Sequence, residues 1–138
     1  MAELITYVLD TYALLAYLQG ESGASQIEKV LEDAAKEKCR LSLSLINLGE
    51  LLYITERRGG VAKAQDTLAL IRQLPIEVLP ADEQTVFDAA HIKANHAISY
   101  ADSFTVAIGI QQNATILTGD PEFQSVETIV KLEWLKTL

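Results

Sequence analysis

"LITYVLDTYALLAYLQG", Leu4 to Gly20, carries one charge, Asp10, between two apolar runs. Leu4 to Leu9 is short and rich in β-formers, which predicts a buried strand ending at Asp10. Thr11 to Gln19 predicts a helix, stopped by Gly20. A strand running straight into a helix is the building unit of an α/β fold. Whether the unit recurs decides the architecture.

It recurs. After "GESGAS", the apolar positions Ile27, Val30, Leu31, Ala34 and Ala35 form one stripe of a helix over Gln26–Lys38. A short strand is expected at Arg40–Ser44. Helices follow at Leu45–Arg58, ended by Gly59-Gly60, and at Val61–Leu74, stopped by Pro75. Ile76–Leu79 is a third strand. Helices at about Asp82–Ala97 and Tyr100–Asn113 lead to a fourth strand, Ala114–Thr118, and "ETIVKL" (Glu127–Leu132) is a candidate fifth. The alternation predicts an α/β sandwich with a mainly parallel sheet of four to five strands and right-handed crossovers. No repeat, low-complexity tract or linker interrupts it, so residues 1–138 are expected to form a single domain.

Composition narrows the function. The chain holds 11 Lys and Arg against 19 Asp and Glu, a formal net charge of −8, with a pI near 4.7. That balance opposes non-specific adhesion to nucleic acid, which depends on cationic contacts to phosphate. Any nucleic-acid role must rest on local basic patches or bound cations. No apolar run approaches the ~20 residues of a membrane span, and the N-terminus lacks a basic leader, so no membrane association and a cytoplasmic location are expected. The single cysteine, Cys39, agrees with a reducing compartment and reads as an ordinary buried residue.

Four acids stand out, three with an adequate local explanation. Asp10 caps the first helix. Ser99 and Asp102 fit the S-x-x-[DE] capping box. Asp120 before Pro121 is a standard helix start. Glu50 has no such explanation: at ~100° per residue it projects between Ile46 and Ile54 on a helix apolar nearly all round, where a charge is costly unless paired or coordinated. Asp10 and Asp120 also end strands, the edge at which parallel sheets bind ligands. Four carboxylates in one crevice repel one another unless cations neutralise them, and oxygen-rich clusters suit Mg²⁺ or Mn²⁺. Such ions can activate water and stabilise a leaving oxygen in phosphodiester hydrolysis. His91 and His96, five apart, share no helix face and read as packing or surface residues.

The ordered set "VLDTYALLAYL", "SLINLGELLYI" and "ISYADSFTVAIGIQQNATILTGDPEF" closely resembles PIN-domain ribonucleases, most nearly VapC-type toxins of toxin–antitoxin pairs. The resemblance spans essentially the whole chain, including "T-x-D-x-x-F" at Thr118, Asp120 and Phe123. It implies a PIN-like three-layer α/β/α sandwich and a Mg²⁺- or Mn²⁺-dependent endoribonuclease. Its acidic quartet falls on Asp10, Glu50, Asp102 and Asp120 as catalytic residues and metal ligands. Thr11 and Thr118 match the hydroxyl residues expected beside the acids to orient them or water. The resemblance also implies an RNA substrate, a homodimer and a cognate antitoxin. Tyr12 departs from the small residue frequent at its position and would shape the substrate mouth. Arg57 and Arg58, with Arg40, Lys63 and Arg72, are the candidate phosphate contacts.

Competing readings fit less well. A haloacid-dehalogenase-type phosphotransferase needs a second acid two residues after the first, where this chain has Tyr12. A phosphoacceptor receiver needs an acidic pair after its first strand, and none is present. A PIN scaffold serving only as a binding or regulatory module remains the alternative, although such scaffolds usually lose some of the acids retained here.

Overall fold

Val8 and Leu9 are neighbours in sequence, yet they are buried in two different cores. Successive side chains of a strand point to opposite faces, so a strand apolar on both must be covered on both. In the computed structural model, which describes residues 4–136, that strand is β1 (Ile5–Leu9), followed by α1 (Thr11–Leu18) and α2 (Ala24–Ala35). β2 (Cys39–Ser44), α3 (Leu45–Gly59), α4 (Val61–Gln73) and β3 (Glu77–Leu79) come next. The chain then forms α5 (Glu83–Asn95), α6 (Tyr100–Gln111), β4 (Thr115–Thr118), a 3₁₀ helix (Pro121–Val126) and β5 (Lys131–Trp134).

The five strands lie in the order β3-β2-β1-β4-β5, every pair parallel. Leu9, Leu43 and Leu117 face one core with apolar residues of α1 to α4. Val8 and Ile116 face the other with α5, α6 and the 3₁₀ residues Phe123 and Val126. The result is the three-layer α/β/α sandwich of the PIN-like arrangement expected from the sequence. Gly109 lets α6 approach β4 closely, since a Cβ there would meet Ile116 Cγ1 at 3.2 Å and Val130 Cγ2 at 3.0 Å. Among the described residues no helix is long and apolar enough to cross a membrane.

Two expectations need correction. The fifth strand lies later than "ETIVKL". Ile129 and Val130 donate their amides back to the Val126 carbonyl at 3.0 and 3.2 Å, so β-prone residues are drawn into a turn. β5 begins only at Lys131, where the chain reaches the edge of β4. Nor is α3 the helix buried all round. It buries Asn47, Leu48 and Leu51 and leaves Leu45, Ile46 and Tyr53 exposed. The enclosed helix is α6, buried without a break from Asp102 to Gly109 because α3, α5 and the sheet all pack on it.

Candidate active site

The sheet reverses its direction of winding between β1 and β4, and the crevice beyond the carboxyl ends of such a strand pair is where open α/β sheets place ligands. Asp10 follows β1 and Asp120 follows β4, so both carboxylates flank this switch point. Both also cap helices, as expected locally. Asp10 Oδ1 accepts the Ala13 amide at 2.8 Å, and Asp120 Oδ1 accepts the Glu122 amide at 3.0 Å. Thr118 joins them: its hydroxyl donates to Asp10 Oδ2 at 2.5 Å and accepts the Asp120 amide at 3.0 Å.

Asp102 enters from the first turn of α6. Ser99 Oγ accepts its amide at 3.2 Å, which is half of the anticipated capping box. The other half is made differently. The Ser99 amide donates to Glu122 Oε1 from the 3₁₀ helix, and the Asp102 carboxylate is left free of it. Glu122, which the sequence reading passed over, thereby joins the cluster: one carboxylate oxygen each from Asp102, Asp120 and Glu122 lie within 4.8 Å of one another. Its only sequence signal is its place two residues after Asp120. Asp10 and Glu50 stand outside that trio, but their charges act on Asp102, as the charge of Asp120 acts on Asp10. The structure thus brings Asp102 and Asp120 together with a fifth acid, Glu122, while Asp10 is linked to the Asp120 backbone through Thr118 and Glu50 is near enough for its charge to act on Asp102.

The electrostatics are those of buried charge without a counter-ion. Asp10 is 1% and Asp102 7% exposed. Burial pushes the Asp10 carboxyl up to about 7, against the lowering effect of the Thr118 and Ala13 hydrogen bonds. Burial first, then the charge of Asp10, pushes Asp102 up to about 8. Among the described residues the one ion pair is Lys29–Asp33 on the surface of α2, so no Lys or Arg neutralises the cluster. The positive ends of α1 and α6 offset part of the charge. Buried acids without a cationic side chain, presenting oxygen alone, are the donor set that suits Mg²⁺ or Mn²⁺.

A family model for the PIN domain matches residues 7–129. The chain belongs to the PIN-domain family. Similar folds are seen in VapBC2 from Rickettsia felis bound to a DNA fragment from its promoter, with a TM-score of 0.74, 19% identity and coverage of 96% of this chain and 100% of that one. DNA-bound VapBC from Salmonella typhimurium gives 0.73, 17%, 95% and 98% in the same order. VapC20 of Mycobacterium tuberculosis, described as a toxin cleaving the sarcin-ricin loop, gives 0.68, 16%, 88% and 94%. No curated protein matches the chain by sequence.

Within this PIN domain the other candidates divide. Thr118 touches Asp10 directly, whereas the Thr11 hydroxyl donates to the Asn47 carbonyl at 3.3 Å and meets no acid. Arg57 lies seven residues after Glu50, on the same face of α3, and stacks over Tyr53 at 5.1 Å from the ring centroid. Arg58 turns away toward Gln19 at the end of α1 and lines the cleft between α1, α3 and α4 with Lys63. Arg40 is misplaced for contact with the acids: it pairs with Thr6 four residues before Asp10, ~13 Å down the strands. Arg72 is exposed in the last turn of α4. His96 ends α5, its Nδ1 3.0 Å from the Ser125 carbonyl, a packing role as expected. Tyr12 lies against Gly119, between Thr118 and Asp120, at the edge of the acids.

Proposed function

We propose that this PIN domain is a Mg²⁺- or Mn²⁺-dependent endoribonuclease acting as the toxin of a toxin–antitoxin pair. The observation carrying the reading is the pair of buried acids, Asp10 and Asp102, near Asp120 at the sheet's switch point without a cationic partner, with the charge of Glu50 acting on Asp102. Asp10, Glu50, Asp102 and Asp120 would hold the metal. Bound there, a divalent ion supplies Lewis acidity toward phosphate and lowers the pKa of water. The chain's own part is positional. Thr118 and the Ala13 amide fix both oxygens of Asp10, the Ser99–Glu122 contact fixes the start of α6, and Arg57 offers a cation on the Glu50 face. A bound cation also answers the acidity of the chain, since it lets an anionic surface accept a phosphodiester.

The toxin reading is supported by neighbours described as VapBC complexes and, for VapC20, as a sarcin-ricin-loop-cleaving toxin. By the same analogy the partners are RNA and a cognate antitoxin, and the resemblance of the sequence to VapC-type toxins adds a second copy of the chain. The deciding experiment is cleavage of structured RNAs by the purified chain with Mg²⁺, Mn²⁺ or EDTA, beside Asp10→Asn. Metal-dependent cleavage lost in the variant is expected. Equal cleavage by both proteins sinks the metal-site reading. Metal binding without cleavage would leave a PIN-fold binding module.

A further inference from the structure

Asn47 is wholly buried, at 0% exposure, in the first turn of α3, on the face that meets α1 and α6. Both polar atoms of its side chain are engaged. Oδ1 accepts the Thr105 hydroxyl at 2.9 Å, and Nδ2 donates to Thr11 Oγ1 at 3.4 Å, while that hydroxyl donates to the Asn47 carbonyl at 3.3 Å. A threonine hydroxyl can do both at once, having one proton and two lone pairs. No buried side-chain polar atom among the described residues lacks a partner, so these hydrogen bonds give both polar atoms of a group that is costly to bury at least one partner each.

The positions of the three residues give the arrangement its meaning. Thr11 adjoins Asp10. Asn47 lies three residues before Glu50 and Thr105 three residues after Asp102, and residues three apart share a helix face. Each member therefore sits one residue or about one turn from a carboxylate on its own helix. The surrounding contacts of α1, α3 and α6 are apolar and non-directional, so they set spacing but resist sliding and rotation weakly. Hydrogen bonds fall off steeply with angle and resist both.

We infer that Asn47 is a positioning residue, a polar bolt through α1, α3 and α6 that holds Asp10, Glu50 and Asp102 in mutual register. The inference rests on the reading of those acids as a metal site. Groups hydrogen-bonded directly to metal ligands typically govern metal affinity by ~10- to 100-fold, and Asn47, which acts through the backbones of the helices that carry the acids, is expected at the lower end of that range. A merely structural asparagine has a different signature. Removing it would cost stability, because a buried partner left unsatisfied is penalised, and would leave the affinity of the folded protein for the metal unchanged.

Mn²⁺ is titrated calorimetrically into the full chain, wild type and variants, with the electron paramagnetic resonance linewidth of bound Mn²⁺ as a geometric signature. Asn47→Leu and Thr105→Val should weaken Mn²⁺ at least tenfold and broaden the bound signal. Thr105→Ser, which restores a hydroxyl, should bind within a few-fold of wild type. If wild type binds Mn²⁺ and Thr105→Val binds it equally well with the same linewidth, the bolt is refuted while the metal site stands. If Asn47→Leu fails to fold, Thr105→Val and its serine rescue decide alone. A wild-type chain that binds no Mn²⁺ overturns the metal reading itself.

Discussion

Thr118 gives its hydroxyl proton to Asp10 at 2.5 Å, across 108 residues of sequence. The same oxygen accepts the Asp120 amide, so one threonine at the end of β4 ties the Asp10 carboxylate to the backbone of Asp120 across the switch point. Thr118→Val keeps the shape and removes both bonds. A hydrogen bond to a charged group contributes ~1.5–3 kcal/mol, so a loss of about that size is expected in denaturant unfolding at pH 8. Mn²⁺ affinity should fall ~10-fold or more by calorimetry. Thr118→Ser should recover most of both.

The metal-free protein should become less stable as pH rises. Asp10 and Asp102 titrate at about 7 and about 8 when folded, against ~3.9 when unfolded, so the folded state binds the extra protons. Their contribution is complete below the unfolded value and is lost as pH climbs through the folded ones. In EDTA the melting temperature should be higher at pH 5 than at pH 8.5, and Asp102→Asn should flatten the slope. Saturating Mn²⁺ should reverse the trend, because ligand carboxylates must be deprotonated to bind. A flat profile in EDTA would show that the two acids do not carry raised values.

Gly119 should not tolerate a methyl group. A Cβ at this position would run into the ring of Tyr12. Overpacking of this kind costs ~1–3 kcal/mol, and Gly119→Ala should lose about that much in chemical denaturation. Tyr12→Ala alone should be milder, and the double variant should recover most of the deficit. Additive losses would mean that Tyr12 is not what the methyl group meets.

Glu122 should act first as a clamp on α6. Glu122→Gln retains an oxygen able to accept the Ser99 amide, whereas Glu122→Ala leaves that amide without its acceptor. Alanine should therefore destabilise by ~1–3 kcal/mol and glutamine by much less. If glutamine weakens Mn²⁺ as much as alanine does, the Glu122 charge belongs to the metal site as well.

The sequence by itself determined what depends on residues a few positions apart. Asp10 after a β-rich run, Gly59-Gly60, Pro75 and Asp120-Pro121 place strand ends, helix starts and stops, because caps and breakers act within a turn or two of the backbone. Alternating strands and helices fix a parallel sheet, and that alone brings Asp10 and Asp120 to the same edge. Tertiary structure decided what is made between distant segments. The enclosed helix is α6 and not α3, because α3, α5 and the sheet all pack on α6 while α3 keeps an exposed face. The Ser99 amide chooses Glu122 over the nearer Asp102, and Thr11 turns to Asn47 and away from the acids. Nothing local distinguishes these partners. A short polar side chain has the same propensity wherever it lies, and only the packed helices bring its acceptor within ~3 Å.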